Sequence, residues 1–235
     1  MARRKTNLTK LEIMQVAMRM FLEKGFTGTS VKAISNELNI STGNLTFYYP
    51  TKEHILLELT KEITQFHTKS IDKVLRNGKN DLFSYCWEIT AQIALCEENE
   101  QAKDIYLAIY SHPLTLQYIK DWTAEKNQRI LGERLKDWTP ERFRRVENVT
   151  SCIERSALTE ACTDVYTIED KIRLILTCLL KIYDIGYEER EKIIGEILEL
   201  DYRKIGHELL KQLTKYVETQ NKQALNEAIN EIKTI

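Results

Sequence analysis

Between Pro140 and Gly186 the chain contains neither glycine nor proline, and only 8 glycines and 3 prolines punctuate all 235 residues. Sheet-rich folds turn roughly every ten residues and draw on those two residues to do so. A chain this poor in turn formers and rich in Leu, Ile, Glu and Lys is predicted to be all-α, with helices joined by short loops. A sandwich, a barrel, a collagen-like chain and a disordered tail are all disfavoured. With 43% hydrophobic and 29% charged residues there is ample material for a core, and the length suits one or two domains.

The same features bound the setting. No apolar run approaches the roughly 18 residues of a membrane span, so no membrane partner is expected. The basic start Met-Ala-Arg-Arg-Lys is followed by no apolar stretch, which argues against a signal peptide. Cys86, Cys96, Cys152, Cys162 and Cys178 show no C-x-x-C spacing and read as buried thiols in a reducing cytoplasm. No metal or cofactor is expected. His54, His67, His112 and His207 are scattered without ligand spacing. A glycine-rich phosphate loop, an H-E-x-x-H motif and a strand-turn-helix serine are absent too. An enzyme is therefore disfavoured.

Charge is unevenly spread. Residues 1–54 hold eight basic side chains against four acidic, a net of +4, on a chain whose total is −1. A basic amino-terminal fifth on an acidic body is the asymmetry expected when one end meets phosphate.

Periodicity sharpens that reading. Thr9-Lys-Leu-Glu12 has the form of a capping box. An apolar stripe follows at Leu11, Ile13, Met14, Ala17, Met18, Phe21 and Leu22, and Gly25 suits a helix end. A second helix is predicted from Ser30, with Val31, Ile34 and Leu38 on one face. Leu38-Asn39-Ile40 is a tight turn. Ser41 is a good N-cap for a third short helix that must stop before Pro50. Thr51 then caps a fourth helix of about 25 residues. Two short helices around a three-residue turn, backed by a longer first helix, form a helix-turn-helix. Leu45 can anchor the third helix while Thr42, Asn44, Thr46 and Tyr48 face outward and Gly43 permits close approach.

The stretch Gly25-Phe26 … Thr29-Ser-Val-Lys-Ala-Ile34 … Leu38-Asn-Ile-Ser-Thr-Gly-Asn-Leu-Thr-Phe-Tyr-Tyr-Pro-Thr-Lys-Glu53 resembles the amino-terminal domain of TetR-type transcriptional regulators. The resemblance covers about residues 8–60. Thr46 departs from it, standing where the family most often has tyrosine. The resemblance implies that Ser30 and Lys32 touch phosphates. By it, Thr42, Gly43, Asn44, Thr46 and Phe47, following the Ser41 cap, face bases, and Tyr48 and Lys52 clamp the DNA backbone. A carboxamide such as that of Asn44 can pair bidentately with adenine. The arm Arg3 to Lys5 is expected to be disordered and able to reach a phosphate or the minor groove.

Two domains are expected: 1–52 for DNA binding and 53–235 for effector binding and dimerisation. In the body, helices are predicted near 83–96, 99–110, 114–136, 141–165, 168–185 and 188–218, with a further segment at 222–233. Residues 172–183 are apolar nearly all round, which marks a central helix or half of a subunit seam. The resemblance favours the seam, with Leu176, Leu179 and Tyr183 at a homodimer interface. Trp87, Tyr106, Tyr110, Trp122, Trp138 and Phe143 supply aromatics for a pocket, the first, second, third and fourth being the preferred lining for a small apolar or aromatic effector. The reading is a homodimeric cytoplasmic repressor released from a palindromic double-stranded operator by that effector. Its alternative is a ligand-independent architectural or division-control DNA-binding protein.

Overall fold

A computed structural model of the chain describes the backbone of residues 2–76 and 80–233, and the side chains of residues 9–72 and 80–227. Eleven α-helices make up nearly all of the described chain, with no β-strand among those residues and a single isolated bridge between Thr163 and Tyr166. Among the described residues no helix is long and apolar enough to cross a membrane.

The amino-terminal unit is α1 (Ala2–Lys24), α2 (Val31–Glu37) and α3 (Thr42–Tyr48), and α4 (Lys52–Arg76) leads from it into the body. Thr9 therefore lies inside α1 and does not cap it. Arg, Lys and Leu are good helix formers and nothing in residues 2–12 breaks the helix. The arm at Arg3 to Lys5 has helical backbone, and its side chains fall outside the described residues. The turn expected at Asn77-Gly78 also lies outside them. α2 and α3 start where expected, with Ser30 Oγ accepting from the Ala33 amide and Ser41 Oγ from the Asn44 amide, each at 3.1 Å.

The body follows as α5 (Asp81–Glu98), α6 (Glu100–Ser111), α7 (Pro113–Leu131), α8 (Pro140–Thr159), α9 (Ile168–Ile182), α10 (Tyr187–Leu198) and α11 (Tyr202–Lys233). The expected helix 188–218 is broken at 199–201, because Asp201 acts as a new N-cap, its Oδ1 accepting from the Lys204 amide at 3.1 Å. No break then occurs before 222, and α11 runs on.

α5 is the central helix. From Leu82 to Cys96 every residue except Trp87 is buried, and α4, α6, α7, α8, α9, α10 and α11 all pack on it. α9, expected to be apolar all round, instead turns Arg173, Leu174 and Lys181 to solvent. Leu176, Leu179 and Tyr183 are buried in the single chain. Tyr183 accepts a 2.7 Å hydrogen bond from Asn127 and packs on Tyr85 and Trp138. The expected placement of these three at a subunit seam is thus corrected: they have no surface left to offer a partner. Trp138 and Phe143 belong to the same aromatic core cluster. Of the cysteines, Cys86 and Cys96 are buried, with burial pushing both thiols up, whereas Cys152 is exposed and Cys162 and Cys178 are half-buried.

One contiguous core runs from α1 through the body to α11. α11 lies against both α5 and α1, and Asn221 Nδ2 reaches Met18 Sδ at 3.5 Å. Its crossing of α5 depends on Gly206, where an added Cβ would sit 2.8 Å from the backbone oxygen of Ala94. Backbone cannot yield as a flexible side chain can. Gly206→Ala is therefore expected to destabilise the fold by about 1–3 kcal/mol, the usual range for overpacking. A denaturant midpoint equal to wild type would show that α11 does not need that close approach.

Candidate functional site

The third helix is held by very little of its own surface. Only Leu45 of its seven residues is buried, with Tyr49 closing its C-terminal end. Full burial of one leucine is worth about 1.5–3 kcal/mol, enough to seat a two-turn helix and leave its remaining faces free. Ser41, Thr42, Gly43, Asn44 and Phe47 are exposed, Phe47 at 77%, while Thr46 and Tyr48 are half-buried. A phenylalanine so open to water, stacked edge-on to Tyr48 at 5.2 Å, is a feature with no use inside this chain. Thr46 donates its hydroxyl to the Gly43 carbonyl at 3.2 Å. A Cβ at Gly43 would meet nothing nearer than Ser41 Oγ at 4.0 Å, and the backbone there is not left-handed. Nothing in the fold itself demands glycine at 43. Ser30 and Lys32 are exposed near the start of α2. The turn between α2 and α3 places Asn39 at φ 52°, a conformation asparagine tolerates.

Residues 13–59, spanning this unit from α1 into α4, match the family described as bacterial regulatory proteins, tetR family. The amino-terminal unit is thus similar to the helix-turn-helix domain of that family. Its relatives in Bacillus subtilis (strain 168) include the uncharacterized HTH-type transcriptional regulator YuxN, 33% identical over 63 residues, or 27% of this chain and 21% of that protein. The probable HTH-type transcriptional regulator YttP is 28% identical over 69 residues, 29% of this chain and 33% of its own. The uncharacterized HTH-type transcriptional regulator YvkB is 24% identical over 120 residues, 51% of this chain and 60% of its own. Each match thus covers less than two thirds of the relative's length.

Two contacts that the sequence did not reveal fix the α1–α2 loop of this unit, and the first of them ties it to the body. Asp104 on α6 accepts from the Thr27 amide at 2.7 Å and from the Thr27 hydroxyl at 2.6 Å. Gly25, at φ 78°, makes room for that carboxylate: a Cβ there would sit 2.5 Å from Asp104 Oδ2. The second contact is Lys52. Its ammonium donates to the carbonyls of Phe26 and Thr29 at 2.8 and 2.9 Å and lies 3.9 Å from the Phe26 ring centre. Burial lowers its pKa, with Glu53 and Asp104 opposing. Expected as a clamp on DNA, Lys52 instead clamps the chain's own α1–α2 loop.

In the body, a small cavity of about 20 Å³ lies among α4, α5, α6, α7 and α8, room for about one water. Tyr106, Tyr110 and Trp122 line it, as does His67, whereas Trp87 does not. Trp87, expected in the effector pocket, is half-buried on α5. The lining is more polar than an apolar effector site requires. Lys126 Nζ donates to Glu88 Oε2 at 2.6 Å, Gln92 donates to Glu88 Oε1 at 3.2 Å, and Tyr110 donates to Glu154 Oε2 at 3.0 Å. His67 Nε2 is 2.9 Å from the Tyr106 hydroxyl. Burial pushes the His67 imidazole down to about 4, against the pull of Glu88, so it is neutral near pH 7. Burial pushes the Glu154 carboxyl up to about 6. It raises that of Glu147 well above the usual range, with the charge of Glu154 adding to the effect. Glu147 and Glu154 occupy inward positions of the apolar stripe on α8, seven residues apart, with Thr150 and Ser151 between them. Charged residues at stripe positions of α8 are the sequence signal for this cluster.

Replacing Lys52 by alanine should lower unfolding stability by about 1–3 kcal/mol, through loss of charge-assisted hydrogen bonds, and leave the salt dependence of DNA binding unaltered. Chemical denaturation and a salt titration check this. A salt slope reduced by about one unit with stability intact would return Lys52 to the phosphate backbone.

Proposed function

We propose that this chain is a sequence-specific DNA-binding regulator of transcription, a homodimeric cytoplasmic repressor released from a palindromic operator by a small molecule. The observation that carries the DNA-binding part is the third helix, anchored by one leucine and otherwise clear of the protein. Thr42, Asn44 and the Thr46 methyl then read base edges, Asn44 pairing with adenine and the methyl meeting thymine. Gly43 lets the groove wall approach, and Phe47 covers an apolar patch of the groove. Ser41 and Tyr48 flank these contacts at the backbone, and Ser30 and Lys32 meet phosphates from α2. The relatives' descriptions as transcriptional regulators support the same reading and favour a binding protein over an enzyme.

A seven-residue helix reads too few bases alone, so two copies on successive major grooves, about 34–36 Å apart, supply the affinity. The dimer seam is proposed on the outward faces of α8 and α9, where Val149 and Leu174 are 56% and 52% exposed. The cavity lined by Tyr106, Tyr110 and Trp122 is the proposed effector site. A ligand has to expand it, and α6 carries both tyrosines together with Asp104. Expansion therefore shifts the α1–α2 loop held by Asp104, and the two third helices lose their spacing. Such a ligand acts by preferring the expanded state, a shift of population.

Selection of bound fragments from random DNA tests this reading, and a palindrome with half-sites one helical turn apart is the expected result. On the selected site Asn44→Ala should lose about 1–3 kcal/mol of binding while random DNA is bound as before. Equal losses on both kinds of DNA, or no enrichment of any sequence, would remove α3 from base reading.

A further inference from the structure

The body cavity holds a carboxylate that the protein leaves half-paired. Glu154 is 4% exposed, and although its Oε2 accepts from Tyr110, its Oε1 has no hydrogen-bond partner. A buried acceptor left unmade costs about 1–3 kcal/mol, and native interiors rarely keep one without a use. The charges around it are also out of balance. Lys126 is the one lysine or arginine among the described residues lining the cavity, and its ammonium is bonded to Glu88. It lies 4.8 Å from the Trp122 ring centre. His67 contributes no positive charge near pH 7. Two carboxylates thus face one cation, and Glu154, whose carboxyl burial pushes up to about 6, is the one with no ammonium bonded to it.

We propose that this cavity takes a monovalent organic cation bearing N–H donors, an amine or amidine on a flat aromatic or apolar body, which donates to Oε1 of Glu154. The proposal rests on the reading of this cavity as the effector site and names the class of effector. Three classes of ligand meet the site differently. An anion would bring a further negative charge beside Glu88 and Glu154, with the only nearby ammonium already bonded. A neutral apolar molecule would bury Oε1 without a partner. A cation supplies the missing charge and the missing donor together, and hydrogen bonds between ionised groups are the strong kind. Tyr106, Tyr110 and Trp122 suit the rest of such a molecule, since aromatic faces attract cations and flat rings alike. Trp122 is half-buried and is the wall whose movement opens the site.

Calorimetric titration of the full chain with benzamidinium, benzamide and benzoate tests this, because the three share a shape and differ in charge. Benzamidinium should bind about tenfold or more tightly than benzamide, the worth of one charge-assisted hydrogen bond, and benzoate should give no heat of binding. Glu154→Gln, which still accepts from Tyr110, should erase that preference. Equal or tighter binding of benzamide or benzoate overturns the proposal. So does an unchanged preference in Glu154→Gln, and so does the absence of binding by benzamidinium at about 10 mM. The wild-type series decides the matter even if the variant folds poorly. DNA binding is read separately. Benzamidinium that binds with this preference and leaves DNA affinity untouched supports the cation site and refutes release by effector.

Discussion

The carboxylate of Asp104 sets how the helix-turn-helix sits on the body. It takes both the amide and the hydroxyl of Thr27, on the short loop between α1 and α2, and the loop has no side chain at Gly25 to hold it off. Lys52 draws the same loop from the other side through two of its carbonyls. The loop is thus fixed between a charge on α6 and a charge at the start of α4. With the loop fixed, α2 and the turn at Asn39 follow, and α3 is left to present its exposed face. Each of these bonds to a charged group is worth about 1.5–3 kcal/mol, so the arrangement is stable yet within reach of a ligand's differential affinity.

The link between body and reading unit is broader than one continuous helix. α4 crosses from one to the other, α6 holds the α1–α2 loop, and α11 packs along α1 after its close crossing of α5 at Gly206. A shared core spans all of them. Expansion of the body cavity would be felt first on α6, where Tyr106 and Tyr110 line the cavity and Asp104 lies two residues before Tyr106. The links through α6 and α11 are contacts between residues tens of positions apart, which local sequence pattern does not show.

What was legible in the chain follows local physics. The start of α2 near Ser30, the cap at Ser41, the turn at Leu38-Asn39-Ile40 and the anchor Leu45 are set by neighbouring residues, and all appear as the spacing implied. The helical class followed from the rarity of glycine and proline. What stayed hidden depends on tertiary contacts. α5 is the central helix but carries Ser84, Glu88, Thr90 and Gln92, so it read as less buried than α9. The apolar α9 looked like a seam, although Leu176, Leu179 and Tyr183 are used up within one chain. Trp87 counted as a pocket aromatic by residue type alone, whereas Glu147 and Glu154 sat unnoticed on the apolar stripe of α8. Lys52 fits a phosphate clamp by position, and only its distances to Phe26 and Thr29 show where its charge goes.

The contact between Asp104 and Thr27 holds the unit that carries the third helix in place on the body. Asp104→Asn weakens it at the cost of one charge and little volume. The most direct measurement pairs the hydrogen-exchange rate of the Thr27 amide in that variant with its affinity for DNA selected by the wild type. The account predicts exchange about tenfold faster, since about 1.4 kcal/mol of local stability is a factor of ten, together with weaker binding as the reading unit loses its fixed pose. A Thr27 amide that exchanges freely in a variant binding DNA as tightly as wild type would contradict it.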